Sequence, residues 1–268
     1  MRLGIIGKGV VGSALEFGFR KLGHEVFIHD IKLNTKIEDL KDCEIIYVSV
    51  PTPSLPDGKC DISIVESVIK ELKDILYQGI IAIKSTITPG TTESFYYKYI
   101  LNICHVPEFL RERAAETDFV ELNRVLVIGV PDNRLDIADK IIQSHGKYPW
   151  STRVVSSTES EMIKLVHNTI NALRIVFANE IYDICQQNNT DYNRIKDTVL
   201  LSTEMPDKYL DVSSNIRGYS SVCLNKDIPA LIEYSKSLGL NSKLLQSIEK
   251  ANNKFAKTPF SNTRENYS

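Results

Sequence analysis

Three residues in the stretch 218–227 combine a thiol, an ammonium group and a carboxylate within five positions. They are Cys223, Lys226 and Asp227, in the sequence Gly-Tyr-Ser-Ser-Val-Cys-Leu-Asn-Lys-Asp. A thiolate is a strong nucleophile, and a neighbouring cation favours the thiolate form, so this spacing is compatible with covalent catalysis at Cys223. The chain has five scattered cysteines, and most cysteines are packing residues, so the stretch alone leaves both interpretations open.

The N-terminal residues have the spacing of a dinucleotide-binding unit. A strand pattern leads into Gly7-Lys-Gly9-Val-Val-Gly12, then a helical pattern, then a second strand pattern that ends at Asp30. Gly7 allows a tight turn, Gly9 lets the backbone approach a pyrophosphate, and Gly12 lets helix and strand pack closely. Asp30 is placed to bind the adenosine ribose and to repel a 2′-phosphate, so NAD is favoured over NADP. The alternative, a glycine turn in any α/β protein, is disfavoured by the complete strand-helix-strand context.

Strand and helix patterns then alternate, which predicts a mainly parallel sheet covered by helices on both faces. The expected strands are the apolar runs at 44–50, 79–84, 103–106 and 124–129. The expected helices between them include 62–76 and 132–144. Ligands of such sheets lie beyond the carboxyl ends of the strands. Polar residues recur at those ends, and we expect them to line one cleft: Thr52, Ser85, Thr86, Glu108 and Glu112.

After Trp150 the pattern is almost continuous helix. An apolar periodicity of 3.6 residues runs to about Cys185, and Thr158-Glu-Ser-Glu161 has the form of a capping box at its start. Lys164 and Asn168 are four residues apart and share one face of this long helix, although a solvated stripe has the same spacing. Further helices are expected at 192–200, 228–238 and 242–254.

The predicted fold is therefore α/β, a Rossmann-type doubly wound parallel sheet followed by an all-helical domain with a long central helix. We expect an NAD-binding domain at 1–155, a helical domain at 156–256 and a flexible tail at 257–268. With 32 basic and 34 acidic residues, the chain has no basic footprint for nucleic acid. The cysteines lack metal-binding spacing, and no signal peptide or membrane-length apolar run is visible, so we expect no metal and a cytoplasmic location.

Seven motifs carry a resemblance to a known family. They are GKGVVG at 7–12, VPTP at 50–53, KSTITPGTT at 84–92, PEFLRE at 107–112, NRVLVIG at 123–129, ESEMIKLVHNTINALRIVFANE at 159–180 and CLNKD at 223–227. In this order they resemble the UDP-glucose/GDP-mannose 6-dehydrogenase family. The resemblance implies oxidation of the C6 alcohol of a nucleotide sugar to a uronic acid, with two NAD per substrate. It also implies a homodimer formed through the central helix.

The resemblance also implies roles for single residues. Cys223 is expected to attack the intermediate aldehyde, giving a thiohemiacetal and then a thioester, with Lys164 assisting proton transfer. Nearby Lys164 and Lys226 are expected to lower the pKa of Cys223. The remaining catalytic candidates are Asn168 as oxyanion partner, Asp227 and Thr86 as water-holding groups, and Glu108 in thioester hydrolysis. Predicted cofactor contacts are Gly7, Gly9, Val10, Val11, Gly12, Asp30, Val50, Pro51, Thr52, Ser85, Thr86, Glu112 and Lys226. Predicted substrate contacts are Phe109, Leu110, Arg111, Lys164, Asn168 and Tyr219.

Some residues depart from the family pattern. Ser220 and Ser221 replace two glycines, which predicts crowding if the backbone there has a positive φ, and Asn225 replaces a proline. The residues after Lys254 are too few for the family's third, UDP-binding domain, so we expect a shortened form. Two alternatives stay open: a two-electron enzyme resembling the β-hydroxyacid dehydrogenases, and a catalytically weakened NAD-binding remnant.

Overall fold

The computed structural model describes residues 1–203 and 205–255, and these residues form two compact units. The first unit comprises Met1–Leu55 and Cys60–Lys164, and the second comprises Pro56–Lys59 and the chain from Leu165 onward. The predicted tail at 257–268 lies outside the described residues. Because the division falls inside the long central helix, the predicted domain limits stay a prediction.

A seven-stranded sheet forms the centre of the first unit. Its strands are β1 (Arg2–Ile6), β2 (Glu25–His29), β3 (Ile45–Val48), β4 (Ile80–Ile83), β5 (Asn102–His105), β6 (Leu126–Val130) and β7 (Thr152–Ser156). The order across the sheet is β2-β1-β3-β4-β5-β6-β7. The first five strands are parallel, and β6 pairs antiparallel with β5 through His105 and Gly129. The prediction of a mainly parallel sheet is confirmed, whereas β7 lies where the sequence indicated helix.

Helices cover both faces of this sheet. They are α1 (Val10–Lys21), α2 (Ser63–Asp74), α3 (Thr91–Tyr99), α4 (Ala115–Val120) and α5 (Leu135–His145). Successive strand residues point to opposite faces, so Ile45 and Tyr47 of β3 belong to one apolar cluster and Ile46 and Val48 to another. Residues of α1, α4 and α5 complete the first cluster, and residues of α2 and α3 complete the second.

Helices dominate the second unit. They are α6 (Ser157–Gln187), whose residues from Leu165 belong to this unit, α7 (Tyr192–Thr203), α8 (Val222–Ser237) and α9 (Lys243–Asn252). The long helix expected from the apolar periodicity is present as α6. Helix α8 begins six residues before the predicted position, so Cys223 and Asp227 lie in a helix and not in a loop. Within the described part of the chain, no helix combines the length and the apolar character needed to cross a membrane.

The start of α6 is capped differently from the prediction. The backbone N–H of Ser156 donates to Glu159 Oε2 at 2.8 Å, and the N–H of Glu159 donates to Ser156 Oγ at 3.3 Å. This pair is the capping box. The predicted box of Thr158 and Glu161 is wrong because both residues lie inside the helix. Glu161 is fully buried and binds the N-terminus of α3 instead.

Candidate active site

The turn between β1 and α1 has the conformation that its glycine spacing predicts. Gly7 has a φ of +93°, and a Cβ there would lie 2.6 Å from the carbonyl oxygen of Ser49. A Cβ on Gly12 would overlap the carbonyl oxygen of Gly7. The space beside Gly9 is open, with no atom within 4 Å of an added Cβ. These are the properties of a turn that lets a pyrophosphate approach the N-terminus of a helix.

Asp30 follows β2 and is tied to this turn. Its Oδ1 accepts a hydrogen bond from the N–H of Lys32 at 2.8 Å, and its Oδ2 accepts one from the N–H of Lys8 at 2.6 Å. These two backbone bonds lower the pKa of the Asp30 carboxyl below its ordinary value. An ionised acid at the end of the second strand fits a ribose with a free 2′-hydroxyl and disfavours a 2′-phosphate.

A cavity of about 760 Å³ lies beside the turn, and its size suits a small-molecule ligand. It brings together five predicted cofactor residues: Gly7, Gly9, Asp30, Val50 and Pro51. Ser49 also lines it and donates from Oγ to the carbonyl oxygen of Gly7 at 2.8 Å. Ser49 was not among the predicted site residues, although it directly precedes the VPTP motif.

Val10 and Glu112 lie far apart in sequence but line a second, smaller cavity of about 320 Å³. Val10 is the first residue of α1, so this cavity lies at the same helix N-terminus as the glycine turn. Two more predicted cofactor residues are thereby placed beside α1.

The segments after β3 and β4 are joined through hydrogen bonds. Ser85 donates from Oγ to the carbonyl oxygen of Val50 at 2.7 Å. The thiol of Cys60 lies 3.4 Å from the carbonyl oxygen of Thr86 and 4.0 Å from that of Thr52. The structure thus brings these predicted strand-end residues together, as expected for parallel strands.

Glu108 follows β5 and is bound on three sides. Lys84, whose side chain is only 2% exposed, places its ammonium 2.9 Å from Glu108 Oε2. The N–H of Phe109 donates to Glu108 Oε1 at 2.9 Å, and Lys164 Nζ donates to the Glu108 carbonyl oxygen at 2.5 Å. The Lys164 ammonium also lies 5.5 Å from the centre of the Phe109 ring. Lys84 was missed as a site residue, although it begins the KSTITPGTT motif.

Two predicted substrate residues of the first unit have structural contacts of their own. The guanidinium of Arg111 binds Asp118 at 2.7 and 3.0 Å, and Leu110 packs against the first apolar cluster. Their substrate roles stay predictions.

Cys223 lies in the first turn of α8. Ser221 is the N-cap, and its Oγ accepts a hydrogen bond from the N–H of Leu224 at 3.4 Å. Cys223 is exposed, whereas the thiols of Cys43, Cys104 and Cys185 are buried. A thiol in the first turn is close to the free N–H groups and positive dipole of the helix, which favour a thiolate.

The acid one turn further along α8 is held by two partners. Asn168 donates from Nδ2 to Asp227 Oδ2 at 2.5 Å, and Lys226 donates from Nζ to Asp227 Oδ1 at 2.6 Å. Asp227 is 1% exposed. Because positions i, i+3 and i+4 share a helix face, Lys226 and Asp227 lie on the side of α8 that carries Cys223.

The positive φ on which the crowding at the two serines depends does not occur at either of them. Ser221 has a φ of −63°, and among the described residues of 218–227 a positive φ occurs only at Gly218, with +55°. The serine at 221 instead caps the helix, and Asn225 lies within α8. The ring of Tyr219 packs in the apolar cluster around α8, and its substrate role stays a prediction.

The parallel sheet, the glycine turn and the ionised Asp30 together define a dinucleotide-binding protein of the Rossmann class. Sequence comparison narrows this class. The NAD binding domain of the UDP-glucose/GDP-mannose dehydrogenase family matches residues 32–144, and the central domain of that family matches residues 158–254. The chain belongs to the UDP-glucose/GDP-mannose dehydrogenase family, whose enzymes are NAD-dependent dehydrogenases.

Individual relatives agree with this assignment. The UDP-glucose 6-dehydrogenase AglM of Haloferax volcanii is 25% identical over 299 residues, which cover 92% of this chain and 68% of the relative. A UDP-glucose 6-dehydrogenase of Rickettsia bellii is 30% identical over 222 residues, which cover 80% of this chain and 50% of the relative. The structure of a UDP-glucose dehydrogenase from Pyrobaculum islandicum superposes with a TM-score of 0.86 at 24% identity. The superposition covers 94% of this chain and 68% of that structure. The chain thus spans about half to two thirds of the length of these relatives.

Proposed function

We propose that this chain acts in the NAD-dependent oxidation of the C6 alcohol of a nucleotide sugar to a uronic acid, through a covalent intermediate on Cys223. The observation that carries the proposal is the placement of an exposed cysteine in the first turn of α8, with Asp227 buried and held one turn further on. Oxidation of an alcohol to a carbonyl needs no thiol. Oxidation of an aldehyde to a carboxylate proceeds through a thioester when a thiolate is available.

The chemistry assigned to Cys223 has three parts. Its thiolate adds to the aldehyde carbon, so that a C–S bond forms and the carbonyl electron pair moves to oxygen, giving a thiohemiacetal. Loss of a hydride from that carbon gives a thioester. Water then adds, the C–S bond breaks, and the carboxylate and the thiolate are released. NAD, when bound, accepts a hydride in each of the two oxidations.

The polar groups around Cys223 and in the first unit receive the supporting roles. In the second unit, Asp227 is proposed as a water-holding group and Asn168 as the group that stabilises an oxyanion. In the first unit, Thr86 is proposed as a water-holding group. Lys164, with its ammonium fixed by the Glu108 carbonyl oxygen, is proposed to exchange a proton with the substrate oxygen. The carboxylate of Glu108, paired with Lys84, is proposed to assist hydrolysis of the thioester. These roles are supported by family membership and by the contacts within each unit.

The proposed cofactor site is the turn and cavity of the first unit. Gly7, Gly9 and Gly12 are proposed to hold the pyrophosphate, and Asp30 the adenosine ribose. The cavity beside them and the ionised state of Asp30 support this placement.

We also propose that the protein forms a homodimer through α6. Apolar side chains remain exposed at a spacing of four and three residues along this helix: Val166 (40%), Ile170 (52%), Leu173 (37%), Phe177 (58%) and, one heptad further, Ile184 (55%). Such a stripe is the pattern of a helix that packs against another helix.

Activity is tested by adding UDP-glucose, GDP-mannose and UDP-N-acetyl sugars with NAD to the wild-type chain and to Cys223→Ala. The proposal predicts two NADH for each sugar consumed by the wild type, and loss of this turnover in Cys223→Ala. Cys60→Ala is the matched control, and it is expected to keep the two-to-one ratio. Equal NADH formation by the wild type and Cys223→Ala would show that Cys223 is not the nucleophile.

A two-electron reaction of the β-hydroxyacid dehydrogenase type is the second candidate. The structure of a 3-hydroxyisobutyrate dehydrogenase from Mycobacterium tuberculosis superposes with a TM-score of 0.75 at 12% identity, covering 94% of this chain and 92% of that one. That similarity shows a shared fold. One NADH per substrate, independent of Cys223, would favour this candidate, and NAD binding without turnover on any substrate would indicate a cofactor-binding remnant.

A further inference from the structure

The backbone that leads into α8 is held by an asparagine from another helix. Asn252, the last residue of α9, accepts a hydrogen bond at Oδ1 from the N–H of Tyr219 at 2.8 Å. Its Nδ2 donates back to the carbonyl oxygen of Tyr219 at 3.1 Å. One side-chain amide therefore satisfies both polar groups of one backbone residue.

A second asparagine binds the preceding residue. Asn179 of α6 accepts at Oδ1 from the N–H of Gly218 at 3.2 Å, and its Nδ2 donates to the carbonyl oxygen of Ile175 at 2.8 Å. Asn179 and Asn252 are 0% and 2% exposed, respectively. Buried side-chain amides are almost always hydrogen-bonded, and these hydrogen bonds fix the orientation of both side chains.

The chemistry of the contact is specific to asparagine at 252. Aspartate lacks the donor for the Tyr219 carbonyl oxygen, and an apolar residue lacks both groups. Glycine is also required at 218, since φ there is +55° and a Cβ would lie 2.9 Å from Asn252 Oδ1. The close approach of Asn252 thus depends on the residue before Tyr219.

Only Ser220 and Ser221 separate Tyr219 from the first residue of α8. Ser221 is the N-cap of α8, and Leu224 packs in the same apolar cluster as the Tyr219 ring. Fixing the backbone of Tyr219 therefore fixes the position at which α8 begins. Cys223, in the first turn, depends on that position for its exposure to the helix N-terminus.

We propose that Asn252 is a positioning residue for Cys223, which holds the Tyr219 backbone so that α8 begins in the register that places the thiol in its first turn. The proposal rests on the proposed role of Cys223 as nucleophile. Its test reads the thiol directly and needs no turnover, so failure of the proposed function and failure of this inference give different results.

The experiment measures the rate of alkylation of Cys223 by iodoacetamide as a function of pH, with peptide mapping to separate Cys223 from the other cysteines. Loss of the two hydrogen bonds between Asn252 and the Tyr219 backbone frays the first turn of α8 and removes stabilisation of the thiolate. Asn252→Ala is therefore expected to shift the midpoint of the alkylation pH profile upward by about 0.5 to 1 pH unit. Asn253 is exposed and adjacent, and Asn253→Ala is expected to leave the midpoint unchanged.

A second pair of variants covers the case in which Asn252→Ala does not fold. Asn252→Asp keeps the acceptor and loses the donor, while Asn253→Asp places the same charge one residue further on. A larger upward shift in Asn252→Asp than in Asn253→Asp, with faster exchange of the Leu224 amide that Ser221 caps, is the expected result. Equal shifts in the two Asp variants, or unchanged exchange at Leu224 in a folded Asn252 variant, would overturn the proposal.

Discussion

The side-chain amide of Asn168 donates a 2.5 Å hydrogen bond to the carboxylate of Asp227, so a residue of α6 and a residue of α8 are in direct contact. The other oxygen of the same carboxylate accepts from the ammonium of Lys226 at 2.6 Å. A carboxylate that is 1% exposed is thereby compensated by one cation and one neutral donor. This contact brings two predicted catalytic residues together within the second unit.

The first prediction concerns the strength of this contact. A hydrogen bond to a buried charged group contributes about 1.5 to 3 kcal/mol, so Asn168→Ala and Asp227→Ala are expected to show a coupling free energy of that size. The measurement is a double-mutant cycle on the free energy of unfolding in urea. The control cycle pairs Asn168→Ala with Asp183→Ala, since Asp183 is half exposed and binds Arg217 instead. A coupling as small as that of the control pair would refute the contact.

The second prediction compares a buried and an exposed lysine–glutamate pair. Lys84→Met leaves the Glu108 carboxylate largely buried without its cation, which is expected to destabilise the protein by about 3 to 5 kcal/mol. Lys98→Met breaks the pair with Glu66, in which the lysine side chain is 56% exposed and screened by solvent, and is expected to destabilise the protein far less. Urea unfolding of the two variants measures the difference. Equal losses in the free energy of unfolding would show that burial does not set the contribution of the Lys84–Glu108 pair to stability.

The third prediction is a pH dependence caused by Glu161. Burial raises the pKa of this carboxyl group from 4.5 to about 7, although Thr92 and Gly90 donate hydrogen bonds to it. The folded protein therefore binds this proton more tightly than the unfolded chain does, and stability falls as pH rises from 4.5 to 7. Glu161→Gln cannot ionise. Its free energy of unfolding relative to the wild type is expected to rise by up to about 3 kcal/mol across that interval.

Glu159→Gln is the control for Glu161, because Glu159 is exposed and hydrogen bonds from Ser156 lower its pKa. The pH dependence of stability has the opposite sign for Glu159. Its contribution to stability is present above the ordinary pKa of glutamate and is lost as pH falls through the lowered pKa. The measurement is urea unfolding of both variants and the wild type over the same pH series. A Glu161→Gln difference that is independent of pH would contradict the assignment.

The fourth prediction concerns the proposed dimer. Phe177 is 58% exposed at the centre of the apolar stripe on α6, so Phe177→Glu would place a charge in a helix–helix contact. Sedimentation velocity is expected to show a dimer for the wild type and a monomer for Phe177→Glu. Gln186→Glu adds the same charge at an exposed position outside the stripe and is expected to remain dimeric. A wild-type protein that sediments only as a monomer would contradict the proposal.

The parts of the fold that follow from local spacing were predictable from the sequence. The glycine turn, the apolar strands and the long helix each have a periodicity that one segment carries by itself. Strand β7 and helix α3 were missed because their residues are short or mixed in character, and pairing with β6 or packing on the sheet decides their structure. The start of α8 was placed too late because Cys223, Asn225 and Asp227 do not form an apolar helical pattern.

The residues that support the candidate site were harder to predict. The contacts of three such residues are with residues distant in sequence: Lys84, Glu161 and Asn252. Contacts of this kind produce no local sequence motif from which they could be predicted. Glu161 was assigned to a capping box because its spacing from Thr158 matches that motif. Its actual partners, Gly90 and Thr92, are distant in sequence. The family motifs indicated the candidate reactive groups, and the structure shows which contacts hold their side chains within each unit.

The central claim is that Cys223 forms a covalent bond with the substrate, and the most direct test traps that bond. In Asp227→Asn the proposed water-holding carboxylate is removed, so the thioester is expected to accumulate when the variant is incubated with NAD and an accepted nucleotide sugar. Peptide mapping by mass spectrometry is predicted to find the sugar acyl group on Cys223, and none on Cys60. Formation of NADH without any adduct on Cys223, in a variant that still binds NAD, would contradict the account.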